Sequence, residues 1–173
     1  NGTLPPDILP PFIKCDSGTE VVRLRPSTAA LLLHLAKVKL GDIVLDPCAG
    51  LGTIPVEAAL NNIPCVGMGG DVALRIDSFA RLVTKYLKGV KNVSKTASSG
   101  AATFAIWDAA LLPIRDGIVD CIISDLPFGS KCLSTSKLQR FLPLLISECA
   151  RILRPGGIIV FLCGAGSYQN IKD

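Results

Sequence analysis

No two cysteines in this sequence stand in a CxxC arrangement, and their number is an odd seven. A disulfide framework needs an even set and a structural zinc site needs paired ligands, so neither is expected. The thiols instead fall where a small hydrophobe would. Cys65, Cys121 and Cys163 lie in apolar strand-like runs and Cys149 on a helical face. A reducing intracellular compartment, cytoplasm or nucleus, is the simplest expectation. Histidine is scarcer still: His34 stands alone in the helix-like run Ala29 to Lys37, where a structural place suits it better than catalysis. Long hydrophobic runs are missing as well. Charge, Pro or Gly interrupts each within about 10 residues, well short of a membrane span, so no membrane partner is expected. There is no initiator Met and no basic–apolar–small signal pattern, and the chain reads as an internal piece of something longer.

What is there suits one folded domain. Apolar residues make up 49% of 173 and charged residues 18%, enough for a core and too apolar for disorder. The formal charge of +4 permits a nucleic-acid partner without demanding one. Pro5, Pro6, Pro10 and Pro11 crowd the start, which marks residues 1–20 as an extended lead-in or linker and 21–173 as the domain.

The first expected helix starts near Ser27 as N-cap and runs to a stop at Gly41, with Arg25 held just ahead of it in Leu24-Arg25-Pro26-Ser27. The short strand Ile43-Val44-Leu45 follows. Asp46-Pro47-Cys48-Ala49-Gly50-Leu51-Gly52 then turns the chain into a helix over Thr53 to Leu60. Strand, glycine turn and helix form the cofactor cradle of parallel α/β sheets, in which backbone N–H groups approach a ligand closely. The nicotinamide fingerprint would need glycine where Pro55 stands, and the phosphate loop ending in GK[ST] is absent. A glycine turn preceded by an acid suits a cofactor with a cationic centre better than a pyrophosphate. A plain tight turn is the alternative.

Strand-end acids recur. Cys65-Val66-Gly67-Met68 ends at Gly69-Gly70-Asp71, where a carboxylate could grip a ribose diol; Asp71 could equally cap the helix whose apolar face runs from Leu74 to Leu87. That helix carries Arg75, Arg81, Lys85 and Lys88, either an RNA-backbone patch or an ordinary solvated face. After a loose connection from Thr96 to Ala102, Phe104-Ala105-Ile106 closes on Trp107-Asp108-Ala109. Asp108 could receive an adenine amino group, with Ala109 and Val72 flanking the ring. The fourth strand, Val119 to Ser124, leads into Asp125-Leu126-Pro127-Phe128-Gly129. Pro127 lacks an N–H and pushes Leu126 into an extended shape, leaving carbonyls free as acceptors beside the Asp125 carboxylate and the flat face of Phe128. Such a set suits a nucleobase with an exocyclic amino group, against the alternative of an ordinary Pro-Gly turn. Lys131, Lys137 and Arg140 add positive charge there. A helix to about Leu153, kinked or started by Pro143, ends at Arg154-Pro155-Gly156-Gly157, and Ile158 to Cys163 forms a fifth buried strand. Alternating strands and helices imply a mostly parallel sheet with helices on both faces, an α/β Rossmann-like fold.

Leu24-Arg25-Pro26-Ser27, Asp46 to Ile54 and Ser124-Asp125-Leu126-Pro127-Phe128-Gly129-Ser130-Lys131 together resemble the catalytic domain of the THUMP-domain-containing guanine-N(2)-methyltransferases of tRNA and spliceosomal snRNA. The resemblance covers roughly residues 21 to 166. It implies a class I methyltransferase fold and S-adenosyl-L-methionine as cofactor. Asp46, Gly50 and Gly52, with Arg25, Cys48 and Thr53 nearby, would cradle its methionine part, Asp71 the ribose, and Asp108 with Val72 and Ala109 the adenine. Asp125 and the Leu126 carbonyl would hold the target amino group, with Phe128 stacked on guanine after Pro127. RNA is the implied partner, together with a small zinc-binding activator subunit shared among methyltransferases. Two departures stand out: no THUMP domain is present, and the strand hairpin expected after the fifth strand has no counterpart before Asp173. An excised or incomplete domain with one open sheet edge is therefore expected.

Three rivals stay open, with a dinucleotide oxidoreductase a distant fourth because Pro55 stands where its fingerprint needs glycine. Adenine amino-methylation uses a similar acid, proline and aromatic. Cys48 as a nucleophile on cytosine is disfavoured because it sits in the cofactor turn. A non-catalytic scaffold could keep the fold and bind RNA or a partner.

Overall fold

In the computed structural model, residues 12–14, 20–22, 24–60, 64–72, 100–126 and 135–163 are described. Strands β1 (Phe12–Lys14) and β2 (Glu20–Val22) pair antiparallel, with Ile13 opposite Val21. The lead-in expected over 1–20 therefore carries a strand. The prolines stop at Pro11, and the apolar pairs Phe12-Ile13 and Val21-Val22 favour extended, hydrogen-bonded backbone.

Helix α1 spans Pro26–Leu35, with Arg25 at the N-cap instead of Ser27. Pro26 dictates this: its φ is already helical, and the N–H it lacks would go unbonded at the first helical position anyway. The Arg25 carbonyl accepts the N–H groups of Thr28 and Ala29 at 3.0 and 3.1 Å. The helix also stops before the expected Gly41. Ala36 caps it and Lys37 takes a φ of 52°, turning the chain toward β3.

Strands β3 (Ile43–Asp46), β4 (Val66–Gly70), β5 (Ala101–Ala105), β6 (Val119–Asp125) and β7 (Leu153–Leu162) form one parallel sheet in the order β5-β4-β3-β6-β7. Chain order reverses at β3, and such a switch point is where α/β sheets bind ligands at their carboxyl edge. β5 begins inside the stretch expected to be a loose connection, because pairing with β4 runs from Val66↔Ala101 to Gly70↔Ala105.

Helix α2 covers Thr53–Leu60, as its sequence predicts. Pro55 is accommodated in its first turn, where N–H groups lack intrahelical partners. A Cβ on Gly67 would lie 2.2 Å from the Pro55 carbonyl oxygen, so glycine on β4 gives the close helix–strand approach that the nicotinamide fingerprint obtains from its third glycine.

The second long helix, α3 (Thr135–Ile152), contains Pro143 in its interior. The Arg154-Pro155-Gly156-Gly157 segment, expected as a helix stop, belongs to β7 as a bulge: Val119 faces Leu153 and Cys121 faces Ile158. Arg154 returns from that bulge to pair with Asp120, whose Oδ2 accepts the Ile43 N–H at 2.6 Å, and reaches Asp42 at 3.9 Å. The two buried acids on the amino edge of the sheet are thus hydrogen-bonded or paired, as buried charge requires.

Side-chain alternation along the strands divides the interior in two. Val44, Cys121 and Ile123 pack with Ala29, Leu32 and Leu33 of α1 and Ile54 and Ala58 of α2. Leu45, Val119 and Ile122 point the other way, onto Leu138, Leu142, Leu145, Cys149 and Ile152 of α3. Helices therefore cover both faces. The expected helix with Arg75, Arg81, Lys85 and Lys88 lies outside the described residues, as do Pro127, Phe128 and Lys131. No helix among the described residues is long and apolar enough to cross a membrane.

Candidate functional site

Asp46 and Asp125 end β3 and β6, Asp71 follows β4, and Asp108 lies past the end of β5. Parallel pairing puts these acids on one edge of the sheet. The charges of Asp125 and Asp71 both bear on Asp46, so the three share a neighbourhood.

Asp46 is the most deeply set, only 2% exposed. Its Oδ1 accepts the Ser124 hydroxyl at 2.6 Å and the Cys48 N–H at 3.1 Å. Among the described residues nothing donates to its Oδ2. Burial pushes the carboxyl up to about 7; the hydrogen bonds from Ser124 and Cys48 act against that rise, and the neighbouring acids add to it. A buried carboxylate with one oxygen unmatched is costly unless a donor or cation arrives. The donor set therefore fits a ligand that carries positive charge.

The turn after Asp46 is held from three sides. The Gly50 N–H donates to Asp71 Oδ2 at 3.0 Å, and the Ala49 N–H to the Gly70 carbonyl at 2.9 Å, tying the turn to β4. Trp107 supplies the third hold: its indole Nε1 donates to the Pro47 carbonyl at 3.0 Å. Its ring lies so close over Gly70 that a Cβ there would fall 2.2 Å from ring carbon Cε2. Gly52, at φ 76°, completes the turn, and Thr53 is buried at the head of α2.

Other sequence-predicted residues are placed as follows. Burial, and then the charge of Asp46, push the Cys48 thiol above its ordinary value, which disfavours the thiolate that the cytosine rival needs. Asp108 is exposed and folds its Oδ1 back onto the Ala110 N–H at 2.9 Å, forming a tight turn closed by Leu111. Val72 is exposed, whereas the Ala109 side chain joins the core beside Trp107 and Leu112. Arg25 acts through its carbonyl as a helix cap, and no ion pair among the described residues joins its exposed side chain to these acids.

Asp125 is exposed at its strand end, yet the desolvation around it raises its carboxyl above the ordinary range. Leu126 is buried, and its N–H donates to the Leu162 carbonyl at 3.1 Å. No described group donates to the Leu126 carbonyl. Pro127 and Phe128, expected next to these, lie outside the described residues.

Sequence reasoning missed two residues of this site. Ser124 stood in the quoted motif without a role, and Trp107 only as a strand end. The available signals were a hydroxyl closing an apolar run directly ahead of the strand-end Asp125, and the presence of a single tryptophan directly ahead of a strand-end acid.

Comparison with known proteins places this geometry. The chain is 32% identical over 135 residues to the tRNA (guanine(6)-N(2))-methyltransferase THUMP3 of Bos taurus, covering 77% of this chain and 27% of that protein. It is 33% identical over 150 residues to the U6 snRNA (guanine-N(2))-methyltransferase THUMPD2 of Homo sapiens, covering 87% and 27%. The chain thus spans about a quarter of the length of these curated relatives. Among solved structures, TrmN from Thermus thermophilus superposes with a TM-score of 0.57 at 27% identity, over 86% of this chain and 40% of that one. A SAM-dependent methyltransferase from Methanosarcina mazei shares the fold, with a TM-score of 0.56 at 21% identity over 75% of this chain and 55% of that one. Residues 19–167 match the family UPF0020 (RMKL-like, methyltransferase domain), and the chain belongs to that family.

Proposed function

We propose that this domain transfers a methyl group from S-adenosylmethionine to the exocyclic 2-amino group of guanosine in RNA, a tRNA or a small nuclear RNA. The observation that carries the reading is the adjacency of two strand-end acids with different tasks. Asp46 is buried beside the glycine turn with one oxygen that no described group matches, and Asp125 stands exposed at the end of the neighbouring strand. The family and the relatives named above support the same chemistry.

The turn from Asp46 through Cys48, Gly50, Gly52 and Thr53 would hold the methionine part of the cofactor, Asp71 the ribose, and Asp108 with Val72 and Ala109 the adenine. When bound, S-adenosylmethionine supplies an electrophilic methyl group on a positively charged sulfur. An aryl amine is a poor nucleophile because its lone pair is delocalised into the ring. Asp125 and the Leu126 carbonyl would accept hydrogen bonds from its two N–H groups, favouring a pyramidal nitrogen whose lone pair takes the methyl group. The C–S bond breaks as N–C forms, the sulfur leaves as a neutral thioether, and the excess amine proton passes to Asp125 or water. Partial desolvation strengthens Asp125 as that acceptor. Placement and electrostatics then do the catalysis, and no strong base is needed.

The test is transfer of labelled methyl to RNA transcripts whose only purine is guanosine or adenosine, with and without a small zinc-binding activator subunit, which the resemblance implies. Label on the guanosine transcript alone supports the proposal. Label on adenosine alone replaces it with the adenine reading, and cofactor binding without transfer to either favours a scaffold.

A further inference from the structure

We propose that Ser124 is a positioning residue for this transfer: its hydroxyl donates to Asp46 Oδ1, fastens the end of β6 to the end of β3, and keeps Asp46 ionised with Oδ2 as the acceptor for the cationic amine of S-adenosylmethionine. The inference rests on the function proposed above and adds a residue and a task to it.

The geometry is specific. β3 and β6 pair in parallel through Val44↔Cys121 and Leu45↔Ile122, so their carboxyl ends emerge side by side. Ser124 is 0% exposed and Asp46 2%, which closes their 2.6 Å contact to solvent. A hydroxyl in so dry a place must donate, and the Asp46 oxygen is the acceptor it has. The next residue along β6 is Asp125, the last of the strand and exposed where the six before it are buried. One seryl hydroxyl thus fixes the spacing between the acid under the cofactor turn and the acid that receives the amine. Transfer geometry is sensitive at the ångström scale, so this spacing has a direct kinetic consequence.

The second part of the task is electrostatic. The titratable groups facing Asp46 are Asp125 on β6, Asp71 after β4, Cys48 in its own turn and Cys149 on α3. Two are like charges and two are thiols that burial keeps neutral, so none of them favours the Asp46 carboxylate. Ser124 and the Cys48 N–H are the groups that do. A hydrogen bond to a charged group is worth about one to two pH units in the acceptor's titration, which makes Ser124 the side chain that sets the ionisation of Asp46 near neutrality.

The experiment has two readouts on the purified chain, each for wild type, Ser124→Ala, Ser124→Cys and Asp46→Asn. The first is calorimetric affinity for S-adenosylmethionine from pH 6 to 9. Wild-type affinity is expected to rise as Asp46 ionises. Ser124→Ala should bind about tenfold more weakly at pH 7, with its midpoint about one pH unit higher, and recover to within about threefold of wild type at high pH. Ser124→Cys, with a weaker donor, should fall between, and Asp46→Asn should bind weakly with no Asp46-linked rise. Titration of the ligand itself is common to all four proteins and cancels in the comparison.

The second readout is the pH profile of thermal stability without ligand. The decline of stability with rising pH should extend about one unit further in Ser124→Ala and be missing in Asp46→Asn. A uniform loss of affinity with an unmoved midpoint in both readouts would show that Ser124 only packs, and would overturn the inference. If the stability profile shifts but no variant binds S-adenosylmethionine at any pH, the Ser124–Asp46 linkage stands while its role toward the cofactor, and the cofactor reading itself, fall.

Discussion

Trp107 and Pro47, sixty residues apart in sequence, are joined by a 3.0 Å hydrogen bond from the indole Nε1 to the backbone carbonyl, and this bond pins the glycine turn after β3 to the sheet edge. Pro47 is fully buried and Trp107 is 8% exposed, so the bond has no competing water. Trp107→Phe keeps a ring over Gly70 but leaves the Pro47 carbonyl without its donor. An unmatched buried carbonyl costs about 1–3 kcal/mol. We expect that loss in urea unfolding, together with weaker S-adenosylmethionine binding by calorimetry. A variant as stable as wild type would mean that water replaces the indole.

Gly70 reports on the same contact from the other side. Gly70→Ala drives a methyl group into the Trp107 ring, and overpacking of this kind typically costs about 1–3 kcal/mol. The clash should be relieved when Trp107 is shortened, so Gly70→Ala in a Trp107→Leu background should cost less than in wild type. Additive losses in that double-mutant cycle would place the damage elsewhere.

Much of this is legible in the sequence. Apolar runs ending in acids marked most of the sheet strands, and the glycine turn from Asp46 to Gly52 marked the passage from β3 into α2, whereas the strand order and its reversal at β3 left no mark in the sequence. Strand-end acids can be read because an Asp after Ile-Val-Leu or Cys-Ile-Ile-Ser breaks a hydrophobic pattern at a defined place. The bonds that organise the site could not be read in the same way. Ser124 meets Asp46 across 78 residues and Trp107 meets Pro47 across 60, and neither distance leaves a local trace. The bulge at Arg154 was hidden for a related reason. Arg-Pro-Gly-Gly is an ordinary helix stop, and only the pairing of Arg154 with Asp120 shows why it stays within the sheet.

Asp46 is expected to be retained at a cost to stability. An ordinary aspartate titrates near 4, whereas Asp46 in the folded chain is pushed up to about 7. The folded state therefore holds this proton more tightly than the unfolded chain does. Stability from this group is full below about pH 4 and falls as the pH rises toward 7. The whole gap corresponds to at most about 4 kcal/mol. Asp46→Asn keeps an acceptor for Ser124 and Cys48 without the charge, so it should be more stable than wild type at pH 8 by on the order of 1–3 kcal/mol. The difference should vanish near pH 4. Equal stabilities at pH 8 would mean that the carboxylate is solvated in a way its burial does not allow.

Asp71 ties the glycine turn after β3 to the end of β4, because its Oδ2 accepts the Gly50 N–H at 3.0 Å. Asp71→Ala removes both that hold and the carboxylate proposed above to grip the ribose diol. Charge-assisted hydrogen bonds contribute about 1.5–3 kcal/mol each, so S-adenosylmethionine affinity should fall by roughly 10- to 100-fold. Because Asp71 is partly exposed, the melting temperature should move little. A large stability loss with unchanged affinity would make Asp71 a structural residue only.

Asp125 should separate binding from transfer more cleanly than any other residue here. It stands at the end of β6, paired in register with Leu162, and is exposed on the side where an acceptor base would arrive. Asp125→Asn keeps the shape of the side chain but replaces one acceptor oxygen with a donor, which opposes an amine hydrogen where the carboxylate accepted it. Losing a well-placed electrostatic partner for the reacting group costs about 10²- to 10³-fold in rate. Single-turnover methylation of guanosine RNA should therefore fall by roughly that factor, while calorimetric affinity for S-adenosylmethionine changes by less than about threefold. Desolvation raises the wild-type carboxyl above its ordinary range, so wild-type transfer should decline as the pH falls through that raised value and Asp125 takes up a proton. The residual rate of Asp125→Asn should lack that decline. Undiminished transfer by Asp125→Asn would remove this residue from the reaction and with it the assignment of the β6 end as the amine-holding site.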